Sequence, residues 1–377
     1  MRIKIAGPFD DPTGYGEVAR QIAFALHHLG VDVLAQSRNW GCTRIGLSPE
    51  LQELLKQLKE KEGNCDCYLN VSVPYFFRVT ENKPSAGLTM SEVDGIPAKW
   101  AELCNQMDLV FVPSCFNMET FQKSGVSPAK LRRLPLGIDS ELFTPIGEKY
   151  RLEAANSLFA FLSVGEWSPR KGFETLIRAF VQEFTRRDNV CLVLRCQCNG
   201  SDYDPNGRHI KNQIAKLVEA ERKLLPPPVI LAPQTLHAQE MPALYRLAHC
   251  FVLPTRGEGW SIPAFEALAC EVPVIITNWS AYLDYLNNDN AYLIDVESLE
   301  PVPGFGIATD EIYVGHKFAK PSTGHLRYLM RHVYTHRQEA KEKAVKGRNM
   351  VKELTWTTTC EKMIGYFSEL LTEPRKS

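Results

Sequence analysis

A long run of apolar residues is absent from this sequence. No stretch of its 377 residues reaches the roughly 18 consecutive apolar residues that a membrane-spanning helix needs. The first residues, MRIKIAGPFDD, also lack the apolar segment of a secretory signal. We therefore expect a cytoplasmic chain that does not span a membrane, with peripheral contact with a membrane left open.

An excess of charge of either sign is also absent. The chain has 43 Lys and Arg residues against 44 Asp and Glu residues, which gives a formal net charge of -1. A nucleic acid as the main partner would favour a strongly basic protein, so we do not expect that class of function. The sequence also has no internal repeat and no low-complexity tract.

Paired C-x-x-C spacing is missing as well, although the chain has 11 cysteines. An odd number of cysteines without such pairs favours a reduced, cytosolic protein. Cys65–Cys67 and Cys196–Cys198 have C-x-C spacing, which fits alternating positions on one face of a strand. A metal site is the alternative, but no histidine stands at ligand spacing beside either pair, so we expect no bound metal.

Strand and helix patterns alternate along the chain. RIKIAGPF, VDVLAQ, YLNVSV and DLVFVPS are predicted strands with helices between them, and the pattern restarts at FAFLSVGE. This alternation predicts an α/β fold with parallel sheets, and the length suggests two domains. The predicted domains are residues 1–145 and 146–358, joined near Leu134–Pro145. An amphipathic C-terminal helix follows over residues 359–377.

One turn follows the predicted strand CFVLPT and opens a helix. It begins the segment GEGWSIPAFEALACEVPVI, Gly257–Ile275. Ser261 is a predicted N-cap, and Pro263 fits the first turn of the helix. The amides of Gly259, Trp260 and Ser261 would then lie at a helix N-terminus, which suits an anion such as a diphosphate.

Two glutamates flank this turn. Glu258 would repel a phosphate, so we expect it to accept hydrogen bonds from hydroxyl groups. Glu266 follows about two helical turns later. A nucleotide-sugar uses all three features, because its diphosphate lies between a sugar and a ribose. The alternative is that both glutamates only complement the helix dipole.

A second strand-to-helix turn is basic. GEWSPRKG follows the predicted strand FAFLSVGE and precedes a helix, as a phosphate-binding loop does. Lys171 is a flexible point charge suited to a phosphate, and Arg170 stands beside it. The alternative is a solvated pair of charges at a helix start.

The interval from Glu258 to Glu266 resembles the E-x7-E motif of the retaining group 1 glycosyltransferases, the family-four type with the GT-B fold. Further segments from about residue 86 to residue 290 resemble that family in the same order, and GPFDDPTGYGEVARQIAFAL is similar to its glycine-rich acceptor-side loop. The other matching segments are SEVDGIPAKW, DLVFVPSCFNMETFQKSGV, LPLGIDSELFTP, GEWSPRKGFETLIRAF and MPALYRLAHCFVLPTRGEGWSIPAFEALACEVPVI.

The resemblance implies an enzyme of carbohydrate biosynthesis with two Rossmann-like parallel-sheet domains that face a central cleft. The first domain would bind the acceptor, the second would bind the donor, and the C-terminal helix would cross back to the first. The reaction implied is transfer of a hexose from a nucleotide diphosphate sugar to a sugar, lipid-linked or other hydroxyl acceptor, with retention of anomeric configuration. Neither a metal nor another cofactor is implied.

The resemblance also implies roles for individual residues. Glu258 and Lys171 would be catalytic, with Glu258 on the sugar hydroxyls and Lys171 on the diphosphate. Glu266 would hold the ribose hydroxyls, and Gly14 or Gly16 would bring a backbone amide near the diphosphate. The other donor-binding positions implied are Arg170, Gly259, Trp260, Ser261, Ile262 and the base-contacting segment 230–235.

Two departures from the family pattern leave other functions open. Glu166 stands about where the family often has an arginine, and Ser91 and Glu92 occupy a segment in which many members have a histidine. The alternatives are a sugar-nucleotide-binding protein that has lost catalysis, and a GT-B-related epimerase or phosphorylase. Asp202–Asp204 is a D-x-D sequence, but its Gly, Pro and Asn neighbours favour a solvated turn over a metal–nucleotide site.

Overall fold

The computed structural model describes most of the chain, which forms two compact units. The described residues are 1–38, 40, 46–80, 82–197, 207–232, 236, 238–304 and 310–372. The first unit consists of Met1–Asp139, Pro301–Lys317 and Leu354–Ser377, and the second consists of Ser140–Glu300 and Phe318–Glu353.

This division differs from the predicted boundary after residue 145. The guanidinium of Arg246 donates a hydrogen bond to the carbonyl of Thr144 at 3.0 Å, which ties the residues after Asp139 to the second unit. The proline and glycine residues of the joining stretch suggested a break but did not indicate which side each residue packs on.

The later boundary also differs from the predicted one after residue 358. The amide of Ile138 donates to the carbonyl of Leu354 at 2.9 Å, so the chain from Leu354 onward belongs to the first unit. Pro301–Lys317 belongs to the first unit as well. Nothing in the sequence indicated that assignment, because the segment is short and lies far along the chain from the first sheet.

The first unit contains a six-stranded sheet in which each neighbouring pair of strands is parallel. Its strand order is β2-β1-β3-β4-β5-β6. The strands are β1 (Arg2–Gly7), β2 (Asp32–Ser37), β3 (Cys67–Val71), β4 (Ser85–Leu88), β5 (Leu109–Val112) and β6 (Leu131–Arg133). The helices between them are α1 (Gly14–His28), α2 (Pro49–Glu60), α3 (Ala98–Gln106) and α4 (Cys115–Lys123).

The second unit contains another parallel six-stranded sheet, in the order β12-β11-β10-β7-β8-β9. Its strands are β7 (Phe159–Glu166), β8 (Val190–Gln197), β9 (Val229–Leu231), β10 (Cys250–Leu253), β11 (Val274–Thr277) and β12 (Tyr292–Ile294). Its helices include α5 (Phe173–Glu183), α6 (Arg208–Ala220), α7 (Met241–Leu247) and α8 (Ile262–Ala269). The predicted α/β class with two parallel sheets is confirmed.

The remaining elements complete the two units. They are β13 (Val296–Pro301), α9 (Asp310–Tyr313), β14 (Lys317–Pro321), α10 (Thr323–Thr335), α11 (Arg337–Val351) and α12 (Trp356–Thr372). In the first unit α12 packs on α1, and the Cys360 sulfur lies 3.7 Å from the carbonyl oxygen of Ile22. Over the described ranges, no helix is both long enough and apolar enough to cross a membrane.

An apolar stripe of α5 forms part of the core of the second unit. Phe173, Leu176, Ile177 and Phe180 are all buried, and the Phe180 ring lies 6.1 Å from that of Phe161 on β7. Burying one such side chain contributes about 1.5–3 kcal/mol. This packing fixes α5, and with it the turn that joins β7 to α5.

Candidate functional site

The strand order of the second sheet predicts where a ligand would bind. Numbered within the sheet, β7 to β12 follow the order 3-2-1-4-5-6, and the order reverses between the neighbours β7 and β10. In such sheets the connections leave the two central strands toward opposite faces, which opens a crevice at their carboxyl ends. Lys171 follows β7 and Glu258 follows β10.

The structure brings these two residues into direct contact. The Lys171 ammonium donates to both carboxylate oxygens of Glu258, at 2.8 and 2.9 Å. Arg170 Nη1 lies 3.1 Å from Oε1 of the same carboxylate, and the Thr255 hydroxyl donates to Oε1 at 2.8 Å. Lys171 and Glu258 are 7% and 5% exposed, so this is a buried ionic cluster in which two cations meet one carboxylate.

The cluster keeps Glu258 ionised. Burial alone would raise the pKa of Glu258, but the charges of Lys171 and Arg170 outweigh burial and hold that pKa below its ordinary value. The sequence assigned separate partners to Lys171 and Glu258, whereas in this structure they bond to each other. The physical reason is that a buried charge is costly unless an opposite charge compensates it.

Backbone contacts hold the two turns together. Arg170 donates from Nη1 to the carbonyl of Gly257 at 2.7 Å, and the Arg256 amide donates to the carbonyl of Arg170 at 2.7 Å. Gly172 has a φ of 71°, and a Cβ at this position would lie 2.1 Å from the carbonyl oxygen of Pro254. Only glycine therefore fits where the turn after β7 passes the turn after β10.

The start of α8 differs from the expectation. Ser261 occupies the N-cap position, but it has a left-handed backbone (φ 70°, ψ 67°) and its side chain makes no capping hydrogen bond. The predicted side-chain cap is therefore wrong, since a serine normally caps from an extended backbone. Within the described part of the chain, the buried Ser261 hydroxyl and the Trp260 indole N–H have no hydrogen-bond partner. Pro263 does lie in the first turn, as predicted.

Two side chains hold this strained turn in place. The Tyr285 hydroxyl donates to the carbonyl oxygens of Trp260 and Ser261, at 2.6 and 3.2 Å. The Glu258 amide donates to the Ser280 hydroxyl at 3.0 Å. Gly259 and Ile262 belong to the same turn and helix start, so the structure brings the predicted residues 258–262 together with Arg170 and Lys171.

Glu266 lies on α8 in a different environment from Glu258. It is half-buried, and its Oε2 accepts a hydrogen bond from the Tyr245 hydroxyl at 2.7 Å. Tyr245 belongs to α7 and is fully buried. Glu258 is thus bonded to two cations, whereas Glu266 accepts a hydrogen bond from a neutral phenol and has the charge of Arg195 nearby.

Gly14 and Gly16 open α1 in the first unit. The Gly16 amide donates to the Thr13 hydroxyl at 3.4 Å, which is an N-cap of α1. A Cβ on Gly16 would lie 2.1 Å from the carbonyl oxygen of Asp11 and 2.8 Å from that of Pro8. Gly16 therefore has a packing role within its own turn, and a contact of either glycine with a donor stays a prediction.

The residues at which the sequence departs from the family pattern contact other residues of their own unit. The buried Ser91 hydroxyl donates to the Gly95 carbonyl at 3.1 Å, and Glu92 accepts a hydrogen bond from the Tyr313 hydroxyl at 3.3 Å. Glu166 ends β7 and pairs in register with Gln197 of β8. Ser91 thus stabilises its own loop, and its hydroxyl is committed to the backbone.

Some predicted positions lie outside the described residues. These are Asp202–Asp204, Cys198 and residues 233–235 of the segment expected to contact the base. Cys65, Cys67 and Cys196 are buried. Across the ranges that the structure does describe, no three His, Cys, Asp or Glu residues are grouped so that they could hold a metal ion.

Sequence reasoning missed the residues that support the charged groups. Thr255, Ser280 and Tyr245 bond to Glu258 or Glu266, and nothing in the sequence marks those bonds. Tyr285 is buried, and it also holds the turn before α8. The one available signal was position, since Thr255 and Ser280 lie just after strands β10 and β11.

The comparisons with known proteins concern the family and the fold. Residues 159–301 match the family described as glycosyl transferases group 1. The chain is 28% identical over 203 residues to the MMP alpha-(1->4)-mannosyltransferase of Mycolicibacterium hassiacum, an alignment that covers 52% of this chain and 44% of that protein. The chain therefore matches less than half the length of this curated relative.

Solved structures show the same fold over nearly the whole chain. Anabaena HepE in complex with UDP and glucose aligns with a TM-score of 0.70 at 12% identity, covering 98% of this chain and 100% of that one. Sucrose-phosphate synthase from Thermosynechococcus elongatus aligns with a TM-score of 0.67 at 18% identity, covering 98% and 99%. The expected GT-B fold is confirmed by this likeness.

Proposed function

We propose that this chain, whose residues 159–301 match the family described as glycosyl transferases group 1, transfers a hexose from a nucleotide diphosphate sugar to a hydroxyl acceptor with retention of anomeric configuration. The observation that carries the proposal is the buried cluster of Lys171, Arg170 and Glu258 at the switch point of the second sheet. The cluster combines cations for a diphosphate with a carboxylate for hydroxyl groups.

The cations are suited to the leaving group. Negative charge accumulates on the departing diphosphate as the glycosidic bond breaks, and fixed positive groups stabilise it most where water is excluded. Lys171 and Arg170 supply formal charge, and the N-terminus of α8 supplies the positive end of a helix dipole. A bound diphosphate would share these cations with Glu258.

Glu258 and Glu266 are suited to the two hydroxylated parts of the donor. An ionised carboxylate only accepts hydrogen bonds, so it favours a ligand rich in hydroxyl groups. We propose that Glu258 accepts hydrogen bonds from the sugar hydroxyls, since it lies beside the phosphate-binding cations. Glu266 lies farther along α8 and would accept hydrogen bonds from the ribose hydroxyls. Another crystal structure shows HepE in complex with UDP-glucose, which is a ligand of this chemical type.

The acceptor would be a sugar, a lipid-linked compound or another hydroxyl compound bound by the first unit. We propose no metal and no other cofactor, because the chain provides its own positive charge for the diphosphate. A cytoplasmic location and peripheral contact with a membrane stay predictions.

The test is a turnover assay over a panel of nucleotide-sugars, including UDP-glucose, UDP-N-acetylglucosamine and GDP-mannose, each with a panel of sugar acceptors. We expect release of nucleoside diphosphate that depends on acceptor, and a product whose anomeric proton coupling in NMR matches that of the donor. Lys171→Ala should lower this release at least about tenfold. Lys223→Ala should not, because Lys223 bonds only to backbone carbonyls elsewhere in the second unit among the contacts that the structure gives it.

Other outcomes would identify another function. Binding of a nucleotide-sugar without turnover against any acceptor would favour a protein that has lost catalysis. A sugar phosphate product that requires inorganic phosphate would favour a phosphorylase, and an isomerised donor would favour an epimerase. An inverted product would contradict the proposed stereochemistry.

A further inference from the structure

Tyr245 is bonded to Glu266 but has no role in the function proposed above. The Tyr245 hydroxyl donates to Glu266 Oε2 at 2.7 Å, a short distance typical of a charge-assisted hydrogen bond. We propose that Tyr245 is a positioning residue that fixes the orientation of the Glu266 carboxylate for the ribose hydroxyls of the donor. This inference rests on the proposed function, because it takes Glu266 as the ribose contact.

The core of the second unit holds Tyr245 in place. Its side chain is fully buried, and its ring lies 6.1 Å from the rings of both Phe143 and Phe251. Phe251 belongs to β10, the strand that leads to Glu258. A ring packed in this way cannot turn without opening a void, so the position of its hydroxyl is set by the fold.

The direction of the hydrogen bond is also fixed. Burial raises the pKa of Tyr245 well above its ordinary value, and the nearby charge of Glu266 raises it further. The phenol is therefore neutral and acts as the donor, while the carboxylate acts as the acceptor.

A glutamate needs such a restraint to recognise a diol. Rotation about its last side-chain bond is broad, with no sharp energy minima to hold the carboxylate plane. The two ribose hydroxyls point in directions fixed by the sugar ring, so a rotating carboxylate would match them only part of the time. With Oε2 bonded to Tyr245, the carboxylate plane is set before the ligand arrives, which lowers the ordering cost of binding.

The test uses Tyr245→Phe, with Tyr292→Phe as the matched control. Tyr292 lies in the same unit and also donates to a glutamate, Glu339, at 3.1 Å, but it belongs to β12 and not to the candidate site. Both changes remove one hydroxyl and keep the ring. Calorimetry would give the dissociation constants of UDP, GDP and ADP, and then of the 2′-deoxy and 3′-deoxy forms of the one that binds.

We expect wild type to prefer the ribonucleotide by about tenfold, equivalent to about 1.4 kcal/mol. Tyr245→Phe should lose most of this preference through weaker binding of the ribonucleotide, while the deoxy forms bind within about twofold of wild type. Tyr292→Phe should bind like wild type. A preference that is intact in folded Tyr245→Phe overturns the positioning role, as does an equal loss for ribo and deoxy ligands, which indicates a purely structural effect.

Two further measurements keep the inference open to refutation. Wild type that binds ribo and deoxy forms equally would remove Glu266 from the ribose site, which is a failure of the proposed function and not of Tyr245 alone. Glu266→Gln should bind the ribonucleotide weakly, and adding Tyr245→Phe to it should weaken binding no further. Full additivity in this double-mutant cycle would contradict the coupling even if Tyr245→Phe alone were poorly stable.

Discussion

Two strand-to-helix turns, each rich in glycine, are held together by different interactions in this protein. The turn after β1 bonds within itself: the Thr13 hydroxyl caps α1, and the buried Arg20 guanidinium donates to the carbonyls of Phe9 and Asp11 at 2.9 and 2.7 Å. The turn after β10 contains the strained Ser261 and a carboxylate held by two cations.

The difference lies in backbone strain and in charge. A strained backbone persists only where the surrounding structure enforces it, and such strain is concentrated at functional sites. Ser261 is strained in this way, and Tyr285 holds its turn in place. A glycine-rich pattern alone did not distinguish the two turns.

The ionic cluster gives the largest expected effect. Glu258→Ala and Lys171→Ala should each lower turnover at least about tenfold, or about 1.4 kcal/mol of transition-state stabilisation. Glu258→Ala should also destabilise the fold by about 3–5 kcal/mol, because it leaves a buried cation without its carboxylate. Steady-state kinetics and denaturant unfolding measure the two effects.

Lys223→Ala is the control, since it removes a lysine of the same unit that lies outside the cluster. A folded Glu258→Ala or Lys171→Ala variant with wild-type kinetics would exclude that residue from the site.

The crowding in the turn after β1 predicts an effect on stability. Gly16→Ala places a Cβ 2.1 Å from the Asp11 carbonyl oxygen, so the backbone must shift, at a cost of about 1–3 kcal/mol. Gly365→Ala in α12 is the matched control, because a Cβ there meets no atom within 4 Å. It should stabilise the helix by up to about 1 kcal/mol. Equal changes in unfolding free energy for the two variants would mean that Gly16 is not crowded.

The two helix starts can be compared by a pair of smaller changes. Thr13→Ala removes a working N-cap and should cost about 1 kcal/mol of unfolding free energy. Ser261→Gly removes a side chain from a left-handed position where it caps nothing, and should stabilise the protein by about 1 kcal/mol. Destabilisation of both variants by the same amount would mean that Ser261 caps α8 after all.

Much of the architecture could be predicted from the sequence, because strand and helix periodicity is a local signal. The placement of Lys171 and Glu258 after strands was predicted in the same way. Their contact was not, since it joins residues 87 positions apart and exists only because β10 inserts beside β7. The bond from Tyr245 to Glu266 likewise depends on how α7 packs against α8. Periodicity gives each element a buried face but does not identify the partner of that face.

The smallest expected effect is that of chelation, and it follows from the same comparison. A site that needs a divalent ion for its diphosphate must present carboxylate oxygens to that ion, because Mg²⁺ prefers such ligands. In the turn after β10 the carboxylate of Glu258 is instead bonded to Lys171 and Arg170, so formal positive charge is already present. We therefore predict that turnover is unchanged, within about twofold, after dialysis against EDTA. Asp202 and Asp204 are the alternative ligands for a divalent ion. The assay should therefore include a variant that combines Asp202→Ala with Asp204→Ala, which we expect to be as active as wild type. Loss of activity on chelation, recovery with Mg²⁺ or Mn²⁺, and an inactive double variant would together move the diphosphate site to those aspartates.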